Sequence, residues 1–517
     1  MTDFSAHRPP GYTGRGDRFL PQIMRELTSM LVSQQDDLVY ETLCLPDSEW
    51  SRLAVALVEF AEDIHHEIGL WRSLERYQQT FFGTPLPLIL PAHQPVEPTS
   101  LAENRIRHLL WVLYAEINPD LILGPGHQDL QYLAHWIAGF LAERFATVPP
   151  GSGVKQFLTQ PNRFGWDVKR KLVWLGQHAY LFRYHFQNYV NEHGGQADIK
   201  TIDDFVCQQP TSWAGLGVID ILAETLAISA ERRADLRSWY ERHAAYYRVR
   251  ALKRSGLQVV NLINDQPYTV RQEKAGDFFK VGQVVFGSLV PWAGDWYWSG
   301  EQLSYADMLD SAIQAVKQEF LEKRSRIAYR YCPALVEQAR EMVQGHYDRF
   351  VAHHGGDLAV YPDGLTMAAD MQKEDRLHNE TLPPAEREAV MKAHGLTSPA
   401  PKMPFPQALI ESANGVGVYF NREEGREIMV EFNDVMSGLQ KDGAELTEAE
   451  EAMLQNIIYS PVISPAFIQR LVQASSDASL AAAFLIRNRQ DQTYLAYLLR
   501  RHKGHFYRKR YPNLAIV

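Results

Sequence analysis

The stretch from Leu257 to Gly300 constrains the fold most, because it has the periodicity of strands in a chain that otherwise reads mainly as helix. "LQVVNLINDQPYTVR" predicts strand, turn and strand, with Asn264 and Asp265 at the turn. "KVGQVVFGSLVPWAGDWYWSG" continues in β-branched and aromatic residues punctuated by glycine. Strands this short need partners along both edges, so three to five of them are expected to close into a small barrel or curled sheet.

From about Leu20 to Arg250 the pattern is helical. "RLAVALVEFAEDIHHEIGLW" sets Leu53, Leu57, Phe60, Ile64, Ile68 and Trp71 on one face, with Glu59, Glu62 and His66 on an opposite face expected to be solvated. Helix resumes at "YADMLDSAIQAVKQEFLEKRSRIAYRY", and the proline-rich run Thr381 to Gln407 reads as a linker. Beyond it, "GVGVYFNREEGREIMVEFNDVMSGLQ" reads as a short strand, a turn and an amphipathic helix. Thr447 and Glu450 form a capping box for the next helix. The expected fold class is mainly α and multidomain: a helical N-terminal domain, a small β-barrel-like insert and an α+β C-terminal domain. The boundaries are a flexible N-terminus (1–19), a helical domain (20–250), the β-barrel-like module (251–305), a helical segment (306–380), a Pro-rich linker (381–406) and an α+β C-terminal domain with a basic tail (407–517).

Composition bounds the function classes. Hydrophobic residues at 45% and charged residues at 22% suit a soluble globular protein, and a net charge of -10 argues against coating nucleic acid with the whole surface. Cys44, Cys207 and Cys332 lie far apart, so a reducing cytoplasmic setting is expected, with no disulfide framework. No signal peptide is read at the N-terminus and no apolar run approaches the ~18 residues of a spanning helix, so no membrane partner is expected. GxxxxGK[ST], a strand-to-helix GxGxxG and GxSxG are absent, which turns the expectation away from an enzyme and from any cofactor.

Two surfaces remain as candidates. Trp292, Trp296 and Trp298 fall within one strand region beside Asp295 and Glu301, and Trp296 and Trp298, if exposed, form a platform for a peptide, a cationic group or a stacked base. The acids favour a protein partner over bare phosphate. Near the C-terminus, "RRHKGHFYRKRYP" offers Arg500, Arg501, Arg508, Lys509 and Arg510, suited to a partner, to nucleic acid or to docking on the chain's own acidic surface. The leading expectation is therefore a soluble cytoplasmic interaction or scaffold protein without catalysis of its own. One alternative is a helical non-haem metal-dependent oxidoreductase, with Fe, Mn or Zn at His178 and His185, two helical turns apart. The other is a nucleic-acid-associated subunit of a larger complex. The leading expectation rests on one premise: the ionisable groups solvate and dock the chain rather than converge in a water-poor pocket.

Overall fold

A computed structural model describes residues 4–91, 100–306, 308–323, 332–393, 405–441, 443, 445–473, 478–486 and 493–512. The chain is mainly helical and divides into two compact units. The first comprises residues 1–320 together with 484–508, and the second comprises 321–483 together with 509–517. Among the described residues no helix is long and apolar enough to cross a membrane.

In the first unit, helices pack around one core that holds Trp50, Trp71, Trp213 and Trp239, all fully buried. The helix Asp47–His65 is covered on every side: Leu53, Leu57 and Ile64 are buried, and so are Glu59, Glu62 and His66. The solvated face expected for these three does not exist. Its cover is the N-terminal segment, read from sequence as flexible, where Phe4 is buried and Arg8 and Asp17 meet the polar side of the helix. Helical periodicity identifies a polar face; it carries no information about a distant segment that lies over it. The approach needs glycine. A Cβ on Gly14 would sit 2.2 Å from the Gly151 carbonyl oxygen, and the Gly16 amide donates to that same oxygen at 2.9 Å.

Five strands follow: β1 (Ala244–Lys253), β2 (Gly256–Asn261), β3 (Pro267–Arg271), β4 (Val284–Trp292) and β5 (Asp295–Tyr305). They close a barrel in the order β1-β2-β3-β5-β4, with β1 and β4 antiparallel and β3 meeting β5 in parallel at Val270 and Trp296. The result is a small closed Greek-key barrel. The turn after β2 places Asp265 at φ 59°, with the Asn264 side chain accepting from the Gln266 amide at 3.2 Å. Strand structure starts at Ala244, earlier than the sequence reading had it. "AAYYRVRALK" alternates burial along β1 although arginine and alanine mask the apolar alternation. Val290, Trp292 and Tyr297 of the barrel belong to the helical core, so β4 and β5 form the seam between barrel and helices.

The second unit is built on an antiparallel sheet, order β6-β7-β8, of Leu358–Tyr361, Val416–Asn421 and Gly425–Val430. The helices Pro333–His354 and Gly364–Thr381 cover it around Phe350, Met367, Met371, Val416 and Val418. β6 thus joins residues read as a helical segment to residues read as the C-terminal domain, and "GREIMV" is the second arm of a hairpin. Of the expected linker, Pro384–Ala393 is helix, and residues 394–404 lie outside the described residues. Thr447 and Glu450 exchange the two capping-box hydrogen bonds at 3.3 and 2.8 Å.

Candidate functional site

The rings of "GDWYW" are divided by the pleat of β5. Tyr297 turns toward the helices, 5.4 Å from the Trp166 ring centroid, and a Cβ on Gly165 would lie 2.7 Å from its ring. Trp296 and Trp298, half-buried, turn the other way: Trp296 meets Tyr268 edge-on at 4.7 Å, and Trp298 meets Tyr247 at 5.6 Å and stacks near Phe279 at 6.2 Å. Trp292 is wholly buried, its indole nitrogen donating to the Asn162 carbonyl at 3.3 Å. Trp296 and Trp298 thus share a half-buried face, and Trp292 lies apart from them in the core.

The seam leaves an open cleft of about 660 Å³, walled by Phe164, Trp166, Trp239, Tyr297 and Trp298 and edged by Arg271, Gln272, Glu273 and Gln302. Two of the lining residues carry a buried N–H without a hydrogen-bond partner: Trp298 at Nε1 and Arg271 at Nε. The other end of Arg271 is engaged, with Nη1 donating to Asp295 at 3.1 Å and the guanidinium lying 4.8 Å over the Phe164 ring. Lys169, also in the wall, is held by Asp203 and by the Ser299 hydroxyl at 3.1 Å. Ser299 in turn donates to Asp203 at 2.7 Å. Flat apolar walls, two unmet donors and a mixed-charge rim suit a ligand that carries carbonyl acceptors and an apolar side group.

A second assembly lies along the helix Asp47–His65. Arg8 grips Glu62 with both terminal nitrogens and reaches Asp17 at 3.0 Å, while the Ser152 hydroxyl donates to Glu62 at 2.5 Å. Arg183 donates to Glu59 at 3.0 Å. Asp63 accepts from Tyr180 at 2.7 Å and from the Gly69, Leu70 and Trp71 amides, capping the next helix. Burial lifts the Glu59 carboxyl to about 7, against the pull of Arg183 and Arg8. Arg8, Glu59, Glu62, Asp63 and Tyr180 enclose about 20 Å³, room for one water and no substrate. Carboxylates do converge in a water-poor place, against the premise drawn from sequence. What they form is a structural lock on the N-terminal segment. The larger cleft of about 1140 Å³ beside it is framed by that segment and the helix Leu20–Gln34; of its charged lining groups Arg8 and Asp17 pair with each other, and Arg15, Arg18 and Arg25 line it as well.

His178 and His185 do not share one helix. The helix Gly165–His178 stops at the first, a turn intervenes, and Arg183–Glu192 starts anew, so the seven-residue spacing loses its helical meaning. His185 Nε2 lies 2.7 Å from the Ser212 hydroxyl and 3.2 Å from Glu116, and burial lowers the proton affinity of both imidazoles. Neither joins a group of three metal-ligand atoms among the described residues.

The basic C-terminus is engaged at close range. Arg500 stacks on Phe81 at 3.6 Å and on Tyr507 at 4.4 Å, and Arg501 lies over Trp111 at 4.9 Å. Arg508 donates to Asp220 at 2.7 Å, Arg510 pairs with Glu424, and Lys509 lies 5.4 Å over the Tyr511 ring. Sequence reasoning missed Phe164, Trp166 and Arg271. The nearest signal was "NRFGWD", an aromatic pair around a glycine that admits a close neighbour.

Fold and site together define a mainly helical, two-unit protein with an aromatic cleft against a Greek-key barrel. Residues 39–199 match a family described as "Protein of unknown function (DUF3843)", a stretch that ends before β1. No curated protein and no solved structure matches the chain.

Proposed function

We propose that this chain is a soluble, cytoplasmic interaction protein without catalysis of its own, and that its cleft beside β5 receives a peptide segment of a protein partner. In this reading the helical N-terminal domain and the β-barrel-like insert supply the two walls, and the α+β C-terminal domain is a separate module. The observation that carries it is the pair of partnerless donors, Trp298 Nε1 and Arg271 Nε, set among aromatic rings. A peptide brings carbonyl oxygens for the donors and a side chain for the apolar floor. Glu273 at the rim, and Asp295 paired with the rim's Arg271, disfavour a phosphate.

Nucleic acid is the second reading, since barrels of this topology often bind oligonucleotides. Against it, the outer face of β2 and β3 exposes Gln258, Pro267 and Thr269 and no ring for a base to stack on. The cations Arg500, Arg501, Arg508 and Arg510 are already spent on the chain itself.

The test is selection from a random peptide library on the full chain, followed by calorimetry of the selected peptide. Trp298→Phe keeps a ring and removes the N–H, and should weaken binding about tenfold, the worth of one hydrogen bond to a buried donor. Equal binding by wild type and variant would sink the proposal. Salt-sensitive binding of a single-stranded oligonucleotide, lost in the same variant, would replace it with the second reading.

A further inference from the structure

We propose that the second unit carries a divalent transition-metal site, Zn²⁺ being the ion to probe, ligated by His353, His354 and Asp370 with an open position left for a small ligand. The helix Pro333–His354 ends on its two histidines and is turned by Gly355 at φ 77°. The helix Gly364–Thr381 presents Asp370 and, one turn on, Glu374 on the same side. One ligand atom from each of His353, His354 and Asp370 lies within 4.8 Å of the other two. His353 Nε2 is 3.2 Å from one Asp370 oxygen and His354 Nδ1 is 3.6 Å from the other. Ligands held at ~2.1 Å from one tetrahedral ion sit about 3.4 Å apart, so small side-chain rotations close the set.

Helix-end histidines beside an aspartate also arise as plain ion pairs, and two further observations favour a metal. First, the His354 side chain is only 7% exposed, yet its Nε2 has no hydrogen-bond partner; that nitrogen lies 3.8 Å from Glu374. A ring fixed to metal through Nδ1 would donate from Nε2 to that carboxylate, the pattern seen around ligating histidines. Second, the outer groups are already set. Tyr361 donates to Asp370 at 3.0 Å and orients it, and Arg426 donates to Glu374 at 2.7 Å and holds it beside the imidazole. Two imidazoles and one carboxylate are the donor set of open zinc and non-haem iron centres.

The experiment uses the full chain without a polyhistidine tag, stripped of metal and titrated with Co²⁺ in competition with Zn²⁺. One equivalent per chain is expected, with the visible Co²⁺ bands of a nitrogen–oxygen site. His353→Gln and Asp370→Asn should each weaken binding by at least about tenfold, and Tyr361→Phe by a smaller factor. Asp375→Asn, one residue beyond Glu374, should change nothing. Because a ligand variant can misfold, the unmodified chain gives a second readout: Zn²⁺ should shield His353 and His354, and not His135, from diethylpyrocarbonate. Less than half an equivalent bound, unchanged affinity in Asp370→Asn, or no shielding would each overturn the site.

Discussion

Glu59 ties the stability of the first unit to pH. Its folded carboxyl holds the proton up to about 7 against an ordinary 4.5, chiefly through burial. A raised folded value means the folded chain binds the proton more tightly. The associated stability is full below pH ~4.5, declines as pH rises, and is gone above ~7, an amount on the order of 3 kcal/mol. Urea unfolding from pH 4.5 to 7.5 should show that decline in wild type and a flatter profile in Glu59→Gln. Arg8→Ala poses the opposite problem. It leaves Glu62 buried with the Ser152 hydroxyl but without its cation, and should cost about 3–5 kcal/mol in the same assay. None of this was legible from "VEFAEDIHHEIG", where Glu59, Glu62 and His66 read as a wet face. The arginine that covers them stands some fifty positions upstream, and the residue types alone do not specify that meeting.

At the scale of elements, the seam of β5 against the helix Gly165–His178 rests on a missing side chain. Gly165→Ala puts a methyl 2.7 Å from the Tyr297 ring and should cost about 1–3 kcal/mol, with strong coupling to Tyr297 in a double-mutant cycle. Unchanged stability would mean the barrel slides freely on its helix. Local chemistry was readable where it is local: the Asn264–Asp265 turn and the Thr447–Glu450 cap are both present. It failed where a short break resets the count, as between His178 and His185, and where polar alternation hid β1. His353 and His354 are adjacent in sequence, but Asp370 joins them only because β6 brings the chain back between two helices.

For the whole molecule, the mainly helical, multidomain class and the presence of a small closed barrel were legible, because periodicity reports them directly. The assignment of the last segment was not, since it depends on contacts across most of the chain. Tyr497, Leu498 and Leu499 of the helix Thr493–His502 are buried, and Tyr497 stacks on Trp111 at 5.3 Å in the first unit. A chain ended after Ala483 should therefore expose apolar surface in that unit, read as dye binding and early proteolysis between residues 100 and 120. Retention of the wild-type protease pattern would show that residues 484–508 are dispensable to it.

That arrangement has a consequence during synthesis. Tyr497, whose ring lies against Trp111, follows it by several hundred residues, so a ribosome has translated most of the first unit before that part of its core can close. Until then its aromatic interior stands open on one side, a non-local closure of the kind that slows folding and exposes apolar surface.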